Sequence, residues 1–285
     1  MTRLRVYVLS NDDLTSRLIF APLFADPAIE VVGLACTSTL LGRSARGGRL
    51  RQALTLLKRT SLRFWAFQVL LNAPLALRDA IGQGGRSWPK SLTAPAAERG
   101  LEARSSADFS SPEFVEIVRA AQPDIVVVRV NQILRRPLLE VAPHGVWCVH
   151  SSLLPAFGGI AAEFHTMRLG QVRIGTTIFQ VSEELDAGEL LVQSEVQLDD
   201  GSSLFRAIVT NNLAAGELLA GSLAKLSRGT FARDVDPPAD SSYHSWPSSR
   251  DVREFRGRGH KLIRASEAAS YLAAVSGLRR GAPVA

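Results

Sequence analysis

Short apolar runs alternate with amphipathic stretches along most of this chain, the pattern of strands and helices laid down in turn. Leu4 to Leu9 and Glu30 to Thr37 are apolar, β-branched runs, and between them Leu14 to Phe24 repeats its apolar positions at helical spacing. That order predicts a βαβ opening. The turn after the first run reads Ser10, Asn11, Asp12, Asp13 and has none of the glycines that let a backbone close around a phosphate, so no dinucleotide cradle is expected there. Further on, Ser111-Pro112-Glu113 supplies an N-cap, a first-turn proline and a first-turn acid to an amphipathic helix with Phe114, Ile117 and Val118 facing inward. Pro123-Asp124 then leads into Ile125 to Val128, and after a short helix Gly145 to His150 forms a second run of the kind buried on both faces of a parallel sheet. Gly175 to Val181 and Leu190 to Leu198 predict two more strands, joined by the polar loop Ser182 to Gly188, and Ser203 to Ser227 a long helix with Leu204, Ile208, Leu213, Leu218 and Leu219 on its apolar positions.

Two stretches break this alternation. Ser38 to Pro89 begins with a Gly/Arg-rich segment and continues as a helical run containing Leu54, Leu57, Phe64, Trp65, Phe67, Val69, Leu70 and Leu71. It reads as an insertion, too interrupted by Arg63, Gln68, Asn72 and Pro74 to cross a bilayer, which takes roughly 20 apolar residues. Its apolar face suits a lid over a cleft or the chain's own core, a second subunit in a homodimer, or a membrane surface. The stretch from Arg228 to Ala285 is richer in Pro, Ser and Arg. The expected organisation is a core over residues 1–227 with a helical insertion at about 38–89, and an extension over 228–285 that packs on the core.

Length and composition agree with a globular protein: 285 residues and 46% hydrophobic content suffice for a substantial core. A net charge of +6 is far below the density of a nucleic-acid arm and names no partner. The two cysteines, Cys36 and Cys148, both fall within strand-like runs, so no disulfide framework is expected. With no secretory signal order at the amino terminus, the expectation is a cytoplasmic protein.

The chemistry concentrates in two places. His150-Ser-Ser-Leu-Leu-Pro155 follows directly from a buried strand, which puts an imidazole at a strand's carboxyl end, where α/β proteins bind ligands. Thirty-six positions later Asp186 stands in Glu183-Glu184-Leu185-Asp186-Ala187-Gly188, an acidic loop able to return a carboxylate to that imidazole, a pairing that handles protons.

Cys148-Val149-His150-Ser151-Ser152-Leu153-Leu154-Pro155, Phe157-Gly158-Gly159, Gly175-Thr176-Thr177 and Leu185-Asp186-Ala187-Gly188 together resemble the catalytic core of the 10-formyltetrahydrofolate-dependent formyltransferases. That family includes methionyl-tRNA formyltransferase, glycinamide ribonucleotide transformylase and the sugar N-formyltransferases. The Ser-Pro-Glu-Phe helix, the Pro123-Asp124 strand and Gln132-Ile133-Leu134 are similar to it as well. The resemblance implies an α/β fold with a Rossmann-like, twisted, mainly parallel sheet. It also implies a one-carbon transferase that takes formyl from 10-formyltetrahydrofolate, with His150 stabilising the oxyanion and Asp186 orienting and charging His150. The pterin would lie against the backbone of Gln132, Ile133 and Leu134 and along Ser182, Glu183 and Leu185; no metal is implied.

Two residues depart from the family pattern. Gly158 stands where the methionyl-tRNA enzymes carry an arginine, and the tail lacks the strand alternation of their second domain, which points to a small-molecule amine rather than a nucleic acid as acceptor. Cys148 stands where the family has an asparagine whose amide donates to the formyl oxygen, and a thiol is a much weaker donor. Cys148 lies two residues from His150 on one strand face, so a Cys148-dependent acyl hydrolase or transferase and a catalytically lapsed binding protein stand as alternatives.

Overall fold

The computed structural model describes residues 3–37, 60–80, 91–183, 188–238 and 240–275. Its centre is a seven-stranded sheet built from β1 (Leu4–Ser10), β2 (Ile29–Thr37), β3 (Ala103–Ser106), β4 (Ile125–Arg129), β5 (Val146–His150), β7 (Arg173–Gln180) and β8 (Glu189–Gln197), in the spatial order β3-β2-β1-β4-β5-β7-β8. The first five run parallel; β7 and β8 close the far edge in antiparallel pairing. β4 and β5 are neighbours as expected, and the chain returns antiparallel after the 182–188 loop. The strand order reverses between β1 and β4, so the crevice at the carboxyl ends of these strands is where such a sheet binds its ligands.

Alternation along each central strand builds two apolar layers. Val127, Trp147 and Val149 face α1 (Leu14–Phe20) and the long α7 (Leu204–Ser227), while Val126, Val128, Val146 and Cys148 face α4 (Pro112–Ala120) and α5 (Arg136–Leu139). The short α3 (Thr93–Ala97) precedes β3, and Ser111 caps α4 by accepting from Phe114 N, with Pro112 at its first position. Phe114, Val115 and Val118 are buried, whereas Ile117, expected inside, is only half-buried. The helix expected over Leu14 to Phe24 divides at Pro22 into α1 and a 3-10 turn over Ala21–Phe24.

Of the insertion, residues 60–80 are described and hold α2 (Leu62–Ala80); 38–59 and 81–89 lie outside the described residues. Phe64 and Phe67 are buried rather than solvent-facing, and with Leu71 and Leu75 they join a core cluster containing Leu14, Leu18, Phe164, Phe255 and Tyr271. Of the places open to that apolar face, the chain's own core is the one these residues occupy. Asn72 accepts from Leu14 N at 3.1 Å, and the buried Arg17 bonds Asp12 at 2.8 Å and Asp79 at 2.7 Å, tying α2 to the end of β1. No helix among the described residues is long and apolar enough to cross a membrane.

The segment after α7 holds two helices: α8 (Ser249–Gly257) opens with a reciprocal capping box at Ser248 and Asp251, and α9 (Ala265–Val275) brings Tyr271 onto α2, where its hydroxyl donates to the Leu71 carbonyl. Phe255 stacks on Phe164 of α6 (Ala162–Arg168) at 4.8 Å. Beside them His165 Nε2 donates to Ser245 O at 2.9 Å, and Arg168 Nε donates to His165 Nδ1 at 3.4 Å. Both ring nitrogens are therefore spoken for only in the neutral imidazole, and burial pushes the His165 pKa down from 6.5 to about 4. A histidine whose folded pKa is depressed contributes stability that is complete above its unfolded pKa and is lost as pH falls from 6.5 toward 4. Urea titrations should show wild type losing more stability between pH 7 and pH 5 than His165→Phe. Equal losses in the two proteins would mean that His165 does not couple folding to pH.

Candidate active site

His150 is the last residue of β5, half-buried, with Nε2 3.4 Å from the carbonyl oxygen of Phe157. The turn that follows is held by a buried polar web. Thr177 Oγ1 on β7 donates to Ser152 O at 2.7 Å and accepts from Leu154 N at 2.9 Å, while Gln193 Nε2 on β8 donates to Leu154 O at 2.8 Å. The last threonine of the Gly175-Thr176-Thr177 motif thus fixes the chain just beyond the histidine. Gln193 completes the fixation from the neighbouring strand, a contribution that sequence spacing alone did not single out.

Cys148, two residues before His150, is half-buried on the same face of β5, level with Val128 on β4 and Phe179 on β7. It packs in the layer that contains Val130, Leu134 and Val181. These residues form an apolar floor between the two segments expected to hold a pterin. On one side, the Gln132 amide is anchored away from that floor: Nε2 donates to Thr37 Oγ1 at 3.0 Å and Oε1 accepts from Phe109 N at 3.1 Å. Leu134 is buried and Ile133 is 68% exposed. Among the described residues, no protein group bonds the backbone N–H or C=O of Asn131, Gln132, Ile133 or Leu134. Asn131 is exposed at the carboxyl end of β4. On the other side lie half-buried Ser182 and exposed Glu183. Arg136, exposed in the segment after β4, is held charged first by Glu140 and then by the Glu183 carboxylate. Leu185 and Asp186 lie outside the described residues.

Two polar clusters beneath this crevice were not foreseen. At the end of β1, Asp13 caps α1 by accepting from Ser16 N at 2.8 Å and pairs with Arg129 at 3.3 Å. Burial alone would raise the Asp13 pKa, but Arg129 and the Ser16 and Thr15 donors hold it below the usual carboxylate range. On the α7 side, Glu163 is buried on α6 and accepts from Asn212 Nδ2 at 3.0 Å and Asn211 Nδ2 at 3.2 Å; Asn212 Oδ1 in turn accepts from Ser151 Oγ at 3.1 Å. Burial raises the Glu163 pKa, which favours the protonated carboxyl. The Asn211-Asn212 doublet inside an otherwise apolar helix was the one sequence signal of this network. Cys36 is also a free thiol, and burial raises its pKa to about 12. Among the described residues no cluster of His, Cys, Asp and Glu is arranged to hold a metal ion.

The segment that carries His150, its turn and β7 lies within residues 79–209, which the sequence model of the formyl transferase family matches. Residues 79–209 belong to the formyl transferase family. Methionyl-tRNA formyltransferase of Geobacter metallireducens is 31% identical over 166 residues, which make up 57% of this chain and 52% of that enzyme. The methionyl-tRNA formyltransferase of Nitratidesulfovibrio vulgaris is 34% identical over 153 residues, or 53% of this chain and 46% of that enzyme. This chain therefore spans about half the length of the curated relatives it matches. Among solved structures, glycinamide ribonucleotide transformylase 1 from Symbiobacterium toebii superposes with a TM-score of 0.52 at 16% identity, covering 82% of this chain and 95% of that one. WlaRD, a sugar 3N-formyl transferase solved in the presence of dTDP and 5-N-formyl-THF, gives 0.53 at 14% identity, covering 86% and 70%. At such identities the likeness speaks for the fold: the mainly parallel sheet with flanking helices is that of the formyltransferases.

Proposed function

We propose that this protein is an N-formyltransferase that moves the formyl group of 10-formyltetrahydrofolate onto the amine of a small molecule. The observation that carries this reading is the position of His150, at the end of β5 in a family-matched segment, beside an apolar floor rimmed by backbone groups. A pterin ring needs such a floor for its faces and main-chain donors and acceptors for its edge. Among the described residues nothing bonds the backbone groups of Asn131 to Leu134, and Val130, Leu134 and Val181 supply the floor. Ser182, Glu183 and Leu185 would form the opposite rim, as the family resemblance implies.

When bound, the folate supplies the formyl carbon. The amine nitrogen forms a bond to that carbon and gives up a proton, and the folate nitrogen leaves carrying one. His150 would donate a hydrogen bond to the oxygen that gains charge, and Asp186 would keep the imidazole charged and oriented. The buried carboxyl of Glu163 supports this arrangement from below, because Ser151, the residue after His150, is fastened to it through Asn212. The small-molecule acceptor rests on Gly158 in place of the arginine of the tRNA enzymes.

Purified protein given 10-formyltetrahydrofolate and a panel of amino sugars and amino acid derivatives should release tetrahydrofolate only when an acceptor is present. Release of formate without an amine would favour a hydrolase, and folate binding without turnover a binding protein. Cys148 is tested in the same assay. If Asn131 supplies the amide donor that Cys148 lacks, Cys148→Ala stays active, Cys148→Asn is no worse, and Asn131→Ala falls about a hundredfold in kcat, the typical cost of one lost oxyanion donor. Loss of turnover in Cys148→Ala, with an acyl adduct on the wild-type thiol, would replace this reading with a Cys148 nucleophile favoured by its shared face with His150.

A further inference from the structure

The turn after His150 is completed by a strap from the other end of the chain. β6 (Gly158–Gly159) pairs with β9 (Tyr243–His244). Gly158 N donates to Ser242 O at 2.8 Å, Ile160 N to His244 O at 2.9 Å, and Ser242 N to Pro155 O at 3.2 Å. Gly159 sits at φ +92 with the His244 carbonyl where a Cβ would stand, so only glycine lets the strap lie this close. Between these backbone bonds, Phe157 N donates to the Ser242 hydroxyl at 2.9 Å across 85 residues of sequence.

Phe157 is the residue whose carbonyl faces His150, and it holds φ +57, a left-handed conformation that a bulky side chain adopts only when its surroundings impose it. The strap imposes it. Ser242 takes the Phe157 N–H and His244 stacks on the Phe157 ring at 5.7 Å. His244 in turn stacks on His165 at 4.5 Å. The far end of the strap is fastened where Ser61 N and Thr60 Oγ1 both donate to Pro247 O at 2.9 Å.

We propose that Ser242 is a positioning residue for His150, acting through the Phe157 carbonyl. By holding Phe157 in its left-handed conformation, the strap aims that carbonyl at Nε2, which keeps Nε2 protonated and leaves Nδ1 as the nitrogen that takes up the proton charging the ring and presents it to the developing oxyanion. A hydrogen bond to one ring nitrogen decides the tautomer at the other, so a residue far along the chain sets the form in which the imidazole meets its substrate. This rests on the proposed function only for its kinetic consequence; the tautomer is a property of the protein alone.

The test is a two-bond nitrogen–proton spectrum of histidine-labelled full-length protein, with His150 assigned by its loss in His150→Ala. Recorded at a pH high enough to leave His150 neutral, wild type should show the Nε2–H tautomer. Ser242→Ala should shift His150 toward a mixture, and Ser242→Thr, which keeps the hydroxyl, should restore it. In the formyl-transfer assay Ser242→Ala should lower kcat about tenfold with KM for the folate unchanged, since small misplacements of a reacting group act on the chemical step. An Nδ1–H tautomer in wild type overturns the proposal without reference to any variant. So does an unshifted His150 in folded Ser242→Ala. If the spectra behave as expected while no amine is formylated, the positioning role stands and the proposed function falls.

Discussion

His150→Ala should leave a folded protein whose formyl transfer has dropped by at least about a hundredfold in kcat, with KM for the folate little changed. The size follows from what the imidazole is asked to do. A donor aimed at charge that develops only in the transition state is worth roughly 10² to 10³ in kcat when removed. The folate itself would be held by backbone and apolar contacts that this substitution leaves in place. The fold should tolerate the change because His150 is half-buried at a strand end, and the turn beyond it is fastened by Thr177 and Gln193 rather than by the imidazole. Asp186→Ala should produce a loss of the same kind, since a carboxylate that orients and charges the imidazole acts only through it. Steady-state kinetics of the two variants and of the double variant give the check. If the two residues act as a unit, the double variant is scarcely worse than either single one. A His150→Ala protein with wild-type kcat would remove the histidine from the mechanism.

Much of this site lay open in the sequence because it depends on local pattern. The apolar runs that became β4 and β5 needed only their β-branched density and their bounding turns, and a histidine at the end of such a run falls at a carboxyl edge by construction. The α4 cap was equally local. What stayed hidden depends on contacts between distant parts of the chain. Glu163 looked like one more first-turn acid until α7 laid Asn211 and Asn212 over it. For Phe64 and Phe67 the pattern shows an apolar face but not its partner, and only packing with α8 and α9 decides for the chain's own core. Ser242 lay in a polar tail with no periodicity, and nothing in its neighbours announced a bond to Phe157. Ile117 shows the smaller error: helical spacing places it near the buried face of α4, but Val115 takes the inner position and Ile117 the margin.

The second large effect is expected at Gly188, the residue that closes the loop carrying Leu185 and Asp186. Gly188 passes so near β7 that a Cβ on it would stand 1.8 Å from the Gln180 carbonyl oxygen and 2.8 Å from the Phe179 ring. The first of these neighbours is backbone, so it cannot swing aside as a flexible side chain would. It also belongs to the ladder in which Phe179 faces Leu190 and Gln180 faces Glu189, next to the register shift between Ile178 and Phe179. Gly188→Ala must therefore either move the backbone at residue 188 off β7 or part the first pairs of β7 and β8. Overpacking of this kind costs roughly 1 to 3 kcal/mol, which a sheet of this size survives. The functional loss should be larger than the stability loss, because a shift of about 1 Å in a reacting group can cost about a hundredfold in rate. Gly221→Ala is the matching control: its Cβ would meet nothing within 4 Å on α7, so the added methyl should leave the melting temperature unchanged or raise it. Thermal melts and formyl-transfer kinetics on the two variants separate the cases. Gly188→Ala with wild-type turnover would show that turnover does not depend on the close seat of Gly188 on β7.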